Sequence, residues 1–204
     1  MLTSFEPSSP LSQVLKADQL DVIAHKKGFS GPTFTLKNRV KRVVWKLAWL
    51  LTARWTPPPF HRWRVLVLRL FGAKVSWRAA VYPSVEVWAP WNLTIDDYGS
   101  LGPGVRCYNI APIKLCERAI VSQGGYLCTG THDFRDPEFP LTAEPITIGQ
   151  RAWICADAFV GPGVVVGEGA ILAARGVAFD HLQAWSIYKG NPAMLARQRP
   201  MIGP

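Results

Sequence analysis

Residues 148–177 read IGQRAWICADAFVGPGVVVGEGAILAARGV and decide the fold. An aliphatic residue recurs at every sixth position, a small residue follows each one, and the fifth position is small or β-branched throughout. A period of six fits neither an α-helix nor one long strand, but it fits a parallel β-helix with three flat faces per coil. The stacked aliphatic residues are Ile148, Ile154, Val160, Val166 and Leu172.

The same repeat extends towards the N-terminus, and three hexads make one coil. Its hexads begin at Val81, Val87, Ile95, Leu101 and Cys107 and then, after a two-residue insertion, at Leu115, Val121 and Leu127. The repeat stops after His132 and resumes at Ile148. A loop is therefore predicted at 133–147, with His132 at its base, and loops that leave a solenoid at a corner often carry its functional site.

Two amphipathic helices are predicted before the repeat, over Asn38–Arg54 and Arg62–Phe71. In the first, Trp45 and Trp49 widen a stripe of aliphatic residues at helical spacing. A proline run ends this helix, because proline removes a backbone donor, and Gly72 ends the second. The stripe residues are Val40, Val43, Val44, Leu47, Leu50 and Leu51.

Residues 37–78 contain eleven Lys and Arg residues and no Asp or Glu, whereas the rest of the chain has twelve bases and fourteen acids. The basic character therefore belongs to this segment. Either the helices pack on the end of the β-helix or on a neighbouring subunit, or they lie on anionic lipid at the inner face of the membrane. No recognised nucleic-acid motif accompanies the bases, so nucleic acid is not expected as a partner.

The N-terminal arm, residues 1–35, contains a predicted short helix from Ser12 to His25 and lacks the pattern of a secretory signal, so a cytoplasmic protein is expected. The four cysteines have no paired spacing, which favours small packing residues in a reducing compartment. No metal site is expected. His132 is the one histidine within the repeats, whereas a carbonic anhydrase of this fold would require three histidine ligands.

The chain resembles the sugar O-acetyltransferases of the hexapeptide-repeat family, in particular the exopolysaccharide and colanic acid branch. The resemblance lies in YLCTGTHD at 126–133, the Trp153-Ile154 hexads, the sequence GNPA at 190–193 and the stretch 38–74. It implies a mainly β protein, a left-handed parallel β-helix with two N-terminal helices and a short C-terminal helix. The domain division is an arm at 1–35, a basic helical segment at 36–80, the β-helix at 81–190 and a tail at 191–204.

The same resemblance implies acetyl-CoA as donor, a saccharide acceptor that is lipid-linked if the basic helices meet a membrane, and a homotrimer. Histidine suits the transfer because its pKa lies near neutral pH, so it can deprotonate an attacking hydroxyl. The implied catalytic residues are His132 and Asp133, and the implied acceptor-binding residues are Asn109 and Asp136. The implied coenzyme-binding residues are Trp153, Ala156, Ala173, Ala174, Asn191, Pro192 and Arg197.

One departure from the family concerns the donor. Many relatives have Thr-Lys-Asp after the last hexad, where this chain has Ala178-Phe179-Asp180. Two interpretations therefore stay open beside a saccharide O-acetyltransferase: an acyltransferase for a small non-sugar acceptor, and a β-helix that serves as a non-catalytic scaffold.

Overall fold

The computed structural model describes residues 33–201, so the helix predicted from Ser12 to His25 lies outside the described residues. Helix α1 is Leu36–Thr52 and helix α2 is His61–Leu70. The Thr35 side chain caps α1 by accepting a hydrogen bond from the backbone N–H of Asn38. After α2 the chain turns at Gly72, whose φ of +91° is a left-handed conformation that favours glycine.

The rest of the described chain winds into a parallel β-helix with three faces, which confirms the predicted fold class. The first face contains β1 (Lys74–Val75), β4 (Leu93–Ile95), β7 (Ile113–Leu115), β12 (Ile146–Ile148) and β15 (Val165–Val166). The second contains β2 (Ala80–Val81), β5 (Ser100–Leu101), β8 (Ile120–Val121), β13 (Trp153–Ile154), β16 (Ile171–Leu172), β18 (Ser186–Lys189) and β19 (Met194–Gln198). The third contains β3 (Glu86–Val87), β6 (Arg106–Tyr108), β9 (Tyr126–Cys128), β14 (Phe159–Val160) and β17 (Val177–Ala178).

The aliphatic residue of each hexad points into the prism and stacks on its equivalents in the coils above and below. On the second face, for example, Leu101 pairs with Val121, Val121 with Ile154, and Ile154 with Leu172, and all four are fully buried. The corners demand small residues because backbone passes close. A Cβ added to Gly149 would lie 2.6 Å from the carbonyl oxygen of Val166.

Two boundaries differ from the sequence prediction. The parallel ladder starts at Lys74–Val75, before the predicted start at Val81, because Val75 pairs with Ile95. The tail predicted as a short C-terminal helix is instead strand β19, which pairs antiparallel with β18, so that prediction is wrong. The open edge of the second face offers backbone donors and acceptors to the tail, and this pairing outweighs its helical preference.

The helices close the N-terminal end of the β-helix through aromatic residues and one buried arginine. Trp45 is buried and donates from Nε1 to the carbonyl of Val87 over 2.7 Å. Arg64 is 0% exposed and donates to the carbonyls of Val81 and Pro57, over 2.6 and 2.9 Å, and to that of Pro58. A buried guanidinium satisfied by carbonyls ties the proline run to the first coil.

Candidate functional site

The interruption of the repeat is a β-hairpin and not an irregular loop. Strand β10 (Gly130–His132) pairs antiparallel with β11 (Leu141–Ala143), and His132 lies opposite Leu141. The hairpin leaves the corner between the third and first faces, where β9 ends and β12 has yet to begin. His132 is exposed at its outer end, and Phe134 nearby is also exposed.

The backbone carbonyl of Phe139 holds the imidazole of His132. Its oxygen lies 2.6 Å from Nδ1. Because a carbonyl only accepts hydrogen bonds, Nδ1 must carry the proton, which leaves the lone pair on Nε2 in neutral histidine. The contact therefore selects the tautomer that a general base requires, with Nε2 available to a substrate hydroxyl.

Asp133 and Asp136 organise the hairpin turn and do not bind the imidazole. Asp133 Oδ1 accepts the N–H of Arg135 over 3.0 Å, and Asp136 Oδ1 accepts the N–H of Glu138 over 2.9 Å. These are the local turns that aspartate typically stabilises. The Phe139 N–H donates to the carbonyl of Asp136 over 2.9 Å, so the carboxylates shape the turn that presents the Phe139 carbonyl.

Asn109, which is predicted to bind the acceptor, is buried in the structure, and this position favours a structural role. Asn109 lies at the same corner one coil before the hairpin, as the repeat predicts, but its side chain points inward and is 0% exposed. Its Oδ1 accepts the N–H of Ala89 over 2.9 Å, and its Nδ2 donates to the carbonyl of Ala89 over 2.6 Å. Both polar groups are hydrogen-bonded to a neighbouring coil, and neither reaches the surface. Thr129 continues this polar stack under the hairpin, accepting from Ala111 N–H over 3.0 Å.

Several expected coenzyme residues gather at the corner between the second and third faces. Ala156 and Ala174 occupy equivalent turn positions one coil apart, and Arg175 N–H donates to the carbonyl of Ala156 over 2.9 Å. Within the described residues, the N–H groups of Ala156 and Ala174 have no acceptor, because each is the second residue of a corner turn. Ala173, which precedes Ala174, adds a third small side chain to this alanine strip, but its own N–H donates to the carbonyl of Tyr188 over 2.8 Å.

The remaining coenzyme candidates are more dispersed. Trp153 lies on the second face, 42% exposed, and donates from Nε1 to Ser122 Oγ over 2.8 Å. The Asn191–Pro192 peptide bond is cis and lies in the turn between β18 and β19, beside Val177 of the third face. Arg197 is exposed on β19. Phe179 is 63% exposed, with its ring centroid 5.5 Å from that of Phe159.

Within one chain, the structure separates His132 from the alanine strip. His132 extends from the corner between the third and first faces, whereas Ala156 and Ala174 lie at the corner between the second and third. A groove of about 780 Å³ lies elsewhere, between α2 and the first face, lined by residues that include Arg69, Lys74 and Asp97 but not His132. We take the hairpin as the candidate site because it carries the exposed, oriented imidazole of His132, which the groove lacks.

No group of three or more His, Cys, Asp or Glu side chains within residues 33–201 is arranged to hold a metal ion. The four cysteines are free, and Cys107 is buried among aliphatic side chains. Burial raises the pKa of the Cys107 thiol to about 12, because a thiolate is poorly solvated there. This thiol is a packing residue and not a nucleophile.

No protein-family model matches the chain. It is 39% identical over 173 residues to the "Putative colanic acid biosynthesis acetyltransferase WcaF" of Escherichia coli K12. The alignment covers 84% of this chain and 95% of that protein. Among solved structures, a maltose O-acetyltransferase from Clostridium difficile 630 superposes with a TM-score of 0.71 at 16% identity, over 82% of this chain and 90% of that one. The hexapeptide-repeat acetyltransferase VCA0836 of Vibrio cholerae, complexed with acetyl coenzyme A, superposes with a TM-score of 0.72 at 17% identity, over 92% and 100%.

Proposed function

The chain belongs to the hexapeptide-repeat acetyltransferase family that includes WcaF, and from this premise we propose that it moves an acetyl group from acetyl-CoA to a hydroxyl of a saccharide during polysaccharide assembly. The relative named for colanic acid biosynthesis supports a glycan acceptor over a small non-sugar acceptor. The hairpin that carries His132 supports an enzyme over a scaffold, because a scaffold gains nothing from an exposed, oriented imidazole.

The contact between His132 Nδ1 and the Phe139 carbonyl carries the proposed mechanism. Nε2 of His132 takes the proton of the acceptor hydroxyl as its oxygen attacks the acetyl carbonyl, and the proton then passes to the departing thiolate. Acetyl-CoA supplies an activated thioester, so no covalent enzyme intermediate is needed. The Nδ1–H keeps its proton and its hydrogen bond to the Phe139 carbonyl, which stabilises the imidazolium that forms. In this mechanism Asp133 and Asp136 are positioning residues.

We propose a homotrimer in which the site forms between two subunits. Within one chain His132 and the alanine strip lie at different corners, so a neighbouring subunit would bring its Ala156 and Ala174 towards this histidine. The free N–H of Ala156 would then stabilise the oxygen on which negative charge develops. Trp153, Asn191, Pro192 and Arg197 would flank the donor on that subunit.

The donor contacts differ from those of many relatives at Phe179. A lysine at this position would offer a charge to the coenzyme phosphates, whereas the exposed phenyl ring offers an apolar surface. We propose that the free backbone donors of the alanine strip and the Arg197 side chain supply the polar contacts instead. Because acetyl-CoA is made in the cytoplasm, the enzyme is proposed to work there, peripherally at the inner face of the membrane.

The test is a steady-state assay of thiol release from acetyl-CoA with a panel of saccharide acceptors. We expect His132→Ala to lower kcat by about 10²–10⁴-fold, the usual contribution of a general base, with donor affinity and oligomeric state unchanged. Donor affinity is measured by calorimetric titration and the oligomeric state by light scattering. The matched control is His181→Ala, an exposed histidine beside Val165 of the first face. Full turnover in His132→Ala would refute the role of His132.

A further inference from the structure

Amphipathic patterning predicts that the aliphatic side of α1 is buried, but the structure buries the opposite side. The buried residues of α1 are Asn38, Trp45 and Trp49, which face the β-helix. Leu47 lies two positions from both tryptophans, and at about 100° per residue it therefore points to the opposite side. The aliphatic residues of that side are 47–75% exposed: Leu36, Val40, Val43, Val44, Leu47, Leu50 and Leu51.

These seven residues, which we call the outer stripe of α1, form a continuous apolar surface along a helix of 17 residues, about 25 Å long. Isolated exposed apolar residues are common, but a contiguous patch of this kind marks an interaction site. The loop after α1 adds aromatic residues, with Trp55 at 81% and Phe60 at 54% exposure. These exposed rings follow the helix directly in the chain.

Basic side chains border the outer stripe on both sides. At helical spacing, Lys37 lies along one border and Arg39 and Lys46 along the other, and all three are exposed. Residues 37–78 contain no acid that would neutralise them. An apolar stripe with bases on both borders is the pattern of a helix that lies in the interface of an anionic bilayer. The described residues contain no helix suited to crossing a membrane.

We propose that the outer stripe of α1 inserts into the surface of an anionic lipid bilayer and docks the enzyme there. The charge pattern decides between the occupants, because a second copy docked on this stripe would bring bases against bases. Anionic headgroups instead neutralise the bases while the stripe enters the acyl boundary. Trp55 and Phe60 then sit at headgroup level, where aromatic rings are favoured. The proposal deepens the proposed membrane location but does not depend on acetyl transfer.

The test is co-sedimentation of the full chain with vesicles of phosphatidylcholine alone and of phosphatidylcholine mixed with phosphatidylglycerol, at low and high salt. We expect binding to the anionic vesicles, weakened by salt. The double variant Val43→Gln/Leu47→Gln should weaken binding by on the order of ten-fold or more, since it removes inserted apolar groups. Met201→Gln is the matched control, because Met201 is 79% exposed and lies outside α1.

A second pair of variants tests the charge. Arg39→Gln and Lys46→Gln should each weaken binding by about five-fold, the equivalent of ~1 kcal/mol per base, whereas Arg118→Gln on the β-helix should have little effect.

Absence of binding to anionic vesicles at low salt would overturn the proposal. So would binding that Val43→Gln/Leu47→Gln leaves intact, since the contact would then be electrostatic only. A change of oligomeric state in that variant, by light scattering, without a loss of vesicle binding would instead assign the stripe to a subunit contact. Donor binding, titrated separately, reports on the acetyltransferase proposal alone.

Discussion

Replacing Asn109 by alanine should destabilise the protein without altering recognition of the acceptor. The side chain is 0% exposed and bridges both the N–H and the carbonyl of Ala89, over 2.9 and 2.6 Å. Truncation leaves these two buried backbone groups without partners. Each unsatisfied group costs about 1–3 kcal/mol, so the free energy of unfolding should fall by about 2–6 kcal/mol.

A central value of ~4 kcal/mol corresponds to a Tm about 12 °C lower, at the ~2–4 °C per kcal/mol of a chain of this size. The assay compares thermal unfolding of wild type and Asn109→Ala at equal protein concentration, because an oligomer's Tm depends on concentration. Gln183→Ala is the matched control, since this exposed amide lies outside the core. Its Tm should stay close to wild type.

The acceptor KM of the folded Asn109→Ala enzyme, measured well below its Tm, decides between the two roles. If the Asn109 amide is structural, Asn109→Ala should lower the Tm and leave the acceptor KM unchanged. An unchanged Tm together with a strongly raised acceptor KM would refute the reasoning, because it would show an amide that faces the substrate.

Two other predictions concern buried groups. Arg64→Met should lower the free energy of unfolding by ~3 kcal/mol or more and expose the proline run to limited proteolysis. The exposed Arg62→Met should change neither property. Equal urea midpoints for the two variants would show that Arg64 does not tie the proline run to the first coil. Cys107, whose pKa is raised from 9.0 to about 12, should resist alkylation at pH 8 in the folded protein, whereas the half-buried Cys155 reacts faster. Because the folded pKa exceeds the unfolded one, the associated stability is full below pH 9 and declines as pH rises towards 12. Equal alkylation rates would show that Cys107 is accessible.

Much of the candidate site could be located from the sequence, but its internal contacts could not. The end of the repeat predicts His132 at the foot of an insertion, and the structure shows it in the hairpin. The resemblance to the family predicts it as the general base, and that role stays a prediction. The partner of its Nδ1 is the Phe139 carbonyl, and every residue has a carbonyl, so no side-chain pattern reveals it. The aspartates are conspicuous in sequence, yet their carboxylates bond to Arg135 and Glu138 N–H groups within the turn.

The inward direction of the Asn109 side chain could not be predicted from the sequence either. Along a face, the six-residue period fixes which side chains point inward, as it did for Leu101 and Val121. At a corner the chain departs from that period, and an asparagine there can point either way. The N–H and carbonyl of Ala89, one coil below, decide its direction.

The sequence by itself determined the β-helix, the stacking columns and the approximate bounds of both helices, because each depends on a local period and on nearby glycine and proline. The tertiary structure decided which side of α1 is buried: the tryptophans reach across to the first coils, as Trp45 does to the Val87 carbonyl, and the aliphatic stripe is left outside. It also decided that Met194–Gln198 is a strand, since the edge of β18 offers hydrogen bonds that no local pattern contains. Local periods depend on neighbours in the chain, whereas these outcomes depend on residues that only folding brings together.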